Sequence, residues 1–207
     1  KYGIRDYRGG GRSSARETTM RVALGSVCRK LLEEIGIHIG SRVVQIHNVK
    51  DKSKYELTPD VINDKADKSP VRCLDTKAEK EMIEVIDKAK KAGDSVGGVF
   101  EVIATGVPYG LGSYTQWNNK LQARISTMMM SINAFKGIEI GSGFKSASQF
   151  GSKVHDEIGY HDGKFTRYTN NAGGVEGGMS NAQPIFCLLY ASPRQRDVEE
   201  YGMRNTD

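Results

Sequence analysis

Cysteine is scarce and scattered: Cys28, Cys73 and Cys187 are the only three in 207 residues, an odd number at wide spacings. That argues against a disulfide framework and a zinc knuckle, and for a reducing, cytoplasmic compartment. Tryptophan occurs once and proline five times. No apolar run approaches the roughly 20 residues that a membrane-spanning helix needs. Lys1–Arg5 shows no signal-peptide core and no initiator Met. Neither charge sign dominates, since 30 Lys+Arg against 25 Asp+Glu leave a net +5, too diffuse to mark a nucleic-acid surface. With 38% hydrophobic and 27% charged residues the composition is that of a folded globular chain, not a disordered one. The expectation is no membrane and no nucleic-acid partner.

Glycine, by contrast, is plentiful. There are 24, and 17 of them lie beyond residue 90. They cluster at Gly9–Gly11, Gly97-Gly98, Gly110 and Gly112, Gly141 and Gly143, Gly173-Gly174 and Gly177-Gly178. No fixed period links the clusters, so they are not a repeat. Apolar neighbours exclude a flexible linker. Such glycines mark tight turns or places where backbone must approach something closely.

Met20, Leu24, Val27, Leu31 and Ile35 recur at helical spacing and predict a core-facing helix over 14–35, with Ser14 in an S-x-x-E capping box and Gly36 as its stop. Residues 37–49 are β-branched and predict one or two strands. Lys50–Ser69 is polar and reads as a surface excursion with at most a helical turn. Thr76-x-x-Glu79 opens a second helix that runs to Gly93, and 96–105 reads as a strand. A third helix is expected over 117–134, with Met128–Met130 packing in the core. Residues 145–172 read as a mobile loop, and Gln183–Tyr190 as a buried strand. Helices and strands mix without a βαβ rhythm, which favours an α+β fold.

The best local site is Arg8–Arg16, where glycines and arginines run into a helix start. Exposed N–H groups and planar guanidinium forks suit phosphate or carboxylate. The alternative is a solvated basic turn that only caps a helix. It is not a P-loop, because G-x-x-x-x-G-K-[ST] is absent. Arg-Gly-Gly beside Tyr2 and Tyr7 resembles RNA-binding RGG segments, but those repeat and this one abuts an amphipathic helix. His155-Asp156 and His161-Asp162 hint at a metal without supplying H-E-x-x-H or clustered cysteines. His38 and His47, in strand-like segments, read as structural. No Ser/His/Asp set or G-x-S-x-G elbow is present. The residues by themselves reach an α+β phosphate or carboxylate binder.

Longer motifs carry a resemblance. Lys1–Thr18 (KYGIRDYRGGGRSSARET), Val71–Cys73, Gly93–Gly98 (GDSVGG), Val107–Ser113 (VPYGLGS), Ser131–Gly141 (SINAFKGIEIG) and Asn170–Asn181 (NNAGGVEGGMSN) resemble the chorismate synthase family, in the family's order. The resemblance implies a lyase that uses reduced FMN to eliminate phosphate (1,4-anti) from 5-enolpyruvylshikimate 3-phosphate, giving chorismate. It implies an α+β fold with antiparallel sheets, a homotetramer in the full-length protein, and a flavin reductase carried or used by some members. By motif match, Arg12, Ser13, Ser14, Asn133, Ala134 and Gly177 would contact FMN, and Ser14, Ala15 and Arg16 the substrate.

The chain also departs from the family. The family's two active-site histidines are expected before Lys1, and none of His38, His47, His155 or His161 takes their place, so no catalytic residue is assigned. Its Lys-Pro flavin motif aligns with Ser192-Pro193, and Ala182 replaces a glycine. Arg194–Asp207 resembles nothing in the family, whose late Arg/Asp motif is missing. The expectation is residues 1–185 as part of the family core and 186–207 as a divergent tail. That describes a chain truncated at both ends and inactive by itself. A non-catalytic anion- or flavin-binding module is the alternative.

Overall fold

Alternation in the run from Ile185 to Ala191 decides the centre of the molecule. Ile185, Cys187 and Leu189 are buried while their neighbours are only half-buried, the period-two pattern of a strand with one covered face. The computed structural model describes residues 17–53 and 58–193. Within them this strand, β9 (Ile185–Ala191), lies between β3 (Gly98–Thr105) and β4 (Phe135–Ile140). Outside β3 come β1 (His38–Ile46) and the short β2 (Val49–Lys50), giving a five-stranded sheet of order β2-β1-β3-β9-β4. Every pairing in it is antiparallel. The expected strands at 37–49, 96–105 and 183–190 are all present, and the fold is α+β. The division expected at 185/186 falls inside β9.

Register puts Arg42 opposite Glu101, Glu101 opposite Leu188, and Leu188 opposite Glu139. Residues directly opposite share a face, so this row is polar at both ends. Arg42 Nε donates to Glu101 Oε2 at 2.6 Å, and its Nη1 donates to Ser53 Oγ at 3.1 Å. Tyr190 Oη donates to Glu139 Oε1 at 2.5 Å. Between Val43 and Gln45 the register shifts by a bulge, which bends the β1 edge.

The helices differ from expectation in instructive ways. The polar stretch 50–69 holds an eight-residue helix, α2 (Pro59–Ala66), whose Pro59, Ile62 and Ala66 are buried. Its pattern is too short for periodicity to reveal. In α3 (Thr76–Lys91) the N-cap is Asp75, not Thr76, and its carboxylate accepts from the N–H groups of Lys77 and Ala78. Ala78 and Met82 pack with Cys73 against Val43, Ile46 and Val49.

Helix α1 (Glu17–Glu34) buries nothing. Met20, Leu24, Val27 and Leu31, with Ile35 just beyond, are 65–70% exposed, so the expected core face is uncovered here. It is Leu32, off that stripe, that reaches the cluster of Ile37, Val107 and Ile185. The Ser14 cap lies outside the described residues. The third helix is shorter than expected. A 3-10 turn (Trp117–Asn119) precedes α4 (Leu121–Met130). Leu121 and Ile125 join the same cluster, but Met128, one turn further, is 65% exposed because the cluster has ended there. The core-packing expectation therefore fails for Met128 and Met130. Residues 145–172, expected as a loop, contain α5 (Gly151–Val154) and a hairpin of β5 (Ile158–His161) and β6 (Lys164–Arg167). Alternation was hidden there by exposed aromatics such as Tyr160 and Phe165.

Candidate functional site

Two groups of backbone turns, one at each end of α4, hold the described candidate residues. At the C-terminal end, Ser131 closes α4 and donates through Oγ to the Met128 carbonyl. Arg21 of α1 reaches the same serine, with Nη1 on Ser131 Oγ at 3.0 Å and Nη2 on its carbonyl at 3.3 Å. Asn133 and Ala134 follow, both exposed. Ala134 is left-handed, with φ 70°, a conformation that costs a residue with a Cβ about 1–2 kcal/mol. Its carbonyl accepts from Ser192 N at 2.9 Å and Ser192 Oγ at 3.1 Å. Three stretches distant in sequence thus meet here: the first turns of α1, the Asn133-Ala134 turn and Ser192-Pro193. Arg12, Ser13, Ser14, Ala15 and Arg16 lie outside the described residues, just before α1 begins.

At the N-terminal end of α4, residues 106–113 and 173–181 are knit backbone to backbone. Gly110 N donates to the Ser180 carbonyl and Ser180 N to the Leu111 carbonyl, both at 2.9 Å. Ser180, only 1% exposed, accepts from Leu111 N and donates to the Pro108 carbonyl. The two-residue strands β7 (Val175–Glu176) and β8 (Met179–Ser180) are joined by Gly177-Gly178, both left-handed, as a tight hairpin turn demands. A Cβ on Gly178 would stand 2.5 Å from the Ser113 carbonyl, so that residue must be glycine to pack. Gly177 has open space on its Cβ side. Its backbone can be approached by a flat ligand, which fits the flavin contact expected of it.

The ten-residue α4 separates the two groups by about 15 Å. Asn133 and Ala134 thus follow the C-terminal end of α4, and Gly177 lies by its N-terminal end. These residues line neither of the two cavities described next. An apolar cavity of about 510 Å³ lies between α3 and the sheet, against Val43, Ile46, Ile86, Val99 and Phe100. A polar one of about 310 Å³ is walled by Ser146, His155, Asp156, Asn171 and Glu176.

Asp156 is the residue that sequence reasoning undervalued. Its carboxylate accepts from Thr169 Oγ1 at 2.5 Å, Asn171 N at 2.7 Å and Ala172 N at 2.9 Å. Burial by itself would raise its pKa, but these bonds and the nearby Arg167 charge hold it below the ordinary carboxylate value. The visible signal was His155-Asp156, which suggested a metal. Among the described residues no group of three or more His, Cys, Asp or Glu side chains is placed to hold one. Asp156 instead fastens the start of the Asn170–Asn181 motif.

The family model for chorismate synthase matches residues 1–195. Chorismate synthase 2 of Bacillus cereus is 54% identical over 195 residues, covering 93% of this chain and 50% of that protein. Chorismate synthase of Listeria welshimeri is 52% identical over 196 residues, with the same two coverages. A solved structure titled "Crystal Structure of Chorismate Synthase" superposes with a TM-score of 0.81 at 47% identity, covering 87% of this chain and 57% of that one. The chain spans about half the length of the curated relatives it matches. With the motif segments arranged as described and this match along nearly all its length, the chain belongs to the chorismate synthase family.

Proposed function

We propose that this chain carries part of the apparatus for the family reaction: 1,4-anti elimination of phosphate from 5-enolpyruvylshikimate 3-phosphate to give chorismate, with reduced FMN. Reduced FMN would lend electron density as phosphate leaves. On this reading Arg12, Ser13, Ser14, Asn133, Ala134 and Gly177 hold FMN. Ser14, Ala15 and Arg16 hold the substrate's anionic groups, where guanidinium forks and free helix-start N–H groups match phosphate and carboxylate. The carrying observation is the Arg21–Ser131 and Ala134–Ser192 junction, which gathers the motif segments at the start of α1.

The reading includes the homotetramer that the family resemblance implies for the full-length protein. A separate or attached flavin reductase would supply the reduced cofactor. A cytoplasmic location suits the three free cysteines, two of them buried. No histidine is assigned as a general acid, so turnover by this chain alone is expected to be negligible.

The test is an anaerobic FMN titration with and without 5-enolpyruvylshikimate 3-phosphate, with released phosphate assayed in parallel. Saturable binding tightened by substrate supports the reading, and phosphate release above background would refute the expected inactivity. Binding that substrate does not alter, without turnover, would favour the non-catalytic flavin- or anion-binding module.

A further inference from the structure

The β7–β8 hairpin has only two residues in each strand, and so short a ladder has little stability of its own. Beyond the bonds of β8 and Gly178 to residues 108–111 and 121, a carboxylate braces its β7 side. Glu176, the residue before Gly177, receives Arg167 Nη2 at 2.5 Å and Asn181 Nδ2 at 2.7 Å on one oxygen, Oε2. Asn181 is 7% exposed, and its own Oδ1 accepts from Gln183 N at 3.0 Å. The Arg167 side chain is 14% exposed and comes from β6, the last strand of the separate β5–β6 hairpin. Arg167 therefore ties one hairpin to the turn of another. It also places its positive charge against an anion one residue from the open face of Gly177.

We propose that Arg167 is a positioning residue for the Gly177-Gly178 turn. Through Glu176 it fixes the turn and cancels the carboxylate charge where an anionic ligand, reduced flavin, would approach. The ligand part rests on the flavin reading of Gly177 given above. Removing Arg167 leaves Glu176 held by Asn181 alone, as an uncompensated negative charge beside the turn. Reduced flavin carries a negative charge at neutral pH that the oxidised ring lacks, so the loss should fall mainly on the reduced form.

Two measurements on the 207-residue chain separate the parts. In amide hydrogen exchange without ligand, Arg167→Met should speed exchange at Met179 and Asn181, the paired amides that follow the turn, about tenfold or more while β9 amides keep their protection. Arg167→Lys should fall between. Unchanged exchange at these two amides overturns the proposal, whatever flavin does. In anaerobic titrations, Arg167→Met should weaken reduced FMN about tenfold and oxidised FMN by less than about threefold. The double variant Arg167→Met/Glu176→Gln removes both charges and should return reduced FMN to within about threefold of the parent. A merely structural bridge would not be rescued this way, so failure to recover overturns the charge-cancelling role. A parent chain without saturable FMN binding removes the flavin reading of Gly177 and the charge-cancelling role with it. The exchange result still decides whether Arg167 holds the turn.

Discussion

Helices α1 and α3 both carry an apolar stripe, the more sharply segregated one on α3, and meet opposite fates. In α3, Met82 is fully buried and Ala78 nearly so, under a cap made by Asp75. In α1, Met20, Leu24, Val27 and Leu31, with Ile35 just beyond, stay about two-thirds exposed. The difference is in what surrounds them. Residues 69–75 run beside β1, where Val43 N donates to the Arg72 carbonyl, and deliver α3 to the sheet. Asp51 then seals that packing by accepting from Ser53 N and Leu74 N. Among the described residues nothing comparable covers the stripe on α1. A hydrophobic period identifies a face that favours burial, not the partner that buries it.

The widest contrast should appear in thiol chemistry. Cys28 sits exposed on α1, whereas Cys73 packs against α3. Burial, with the Asp51 and Asp75 carboxylates nearby, pushes the Cys73 pKa up to about 11, and burial does the same for Cys187. At pH 8 the thiolate fraction of each buried thiol is then about one in a thousand. A disulfide-exchange reagent should label one thiol of the native chain within minutes and the other two only on unfolding. Three equally fast thiols would erase the distinction between the helices.

Next in size is packing. Met82→Ala should cost about 2–5 kcal/mol in urea unfolding, while Leu24→Ala, at a position 66% exposed, should stay within ~0.5 kcal/mol. Similar losses at both positions would show that α1's stripe is covered in solution.

Acid should act through the α3 side. Burial alone would raise the Asp51 pKa, but hydrogen bonds from Ser53 and Leu74 and the Arg42 charge hold it below the ordinary value. A carboxyl lower in the folded state than in the unfolded one, where it titrates near ~3.9, stabilises fully above that value. The contribution is lost as pH falls through the folded pKa. Asp51→Asn should cost about 1–3 kcal/mol at pH 7 and flatten the acid limb of stability against pH. An unchanged acid limb would place the acid sensitivity elsewhere, with Asp156 the next residue to test.

The smallest effect is a gain. Ala182, where the family resemblance expects glycine, is left-handed with φ 63°. Ala182→Gly should stabilise by about 1 kcal/mol, and a loss instead would show that the Ala182 methyl group contributes packing there.

Much of this was legible beforehand. The β-branched runs announced β1, β3 and β9, and the motifs from Lys1 to Asn181 pointed to the family. α2 was not legible, because an eight-residue helix among charged residues shows too few turns for a period. Nor was the β5–β6 hairpin, whose exposed aromatics blur the alternation that marks a strand. Asn133, Ala134 and Gly177 could be named by motif, but their separation could not, since spacing along the chain says nothing about which end of a helix a turn occupies. The Arg167–Glu176–Asn181 bridge joins residues from two hairpins, and no local pattern links them.

Local chemistry by itself determined the longer elements (α1, α3, β1, β3 and β9), where glycines cluster at turns, and which arginines suit an anion. Tertiary structure alone decided that β9 is central, that α3 buries its face while α1 does not, and that Ala134 meets Ser192. Strand order and helix burial depend on contacts between residues distant in sequence, and their free energy belongs to the pair rather than to either segment.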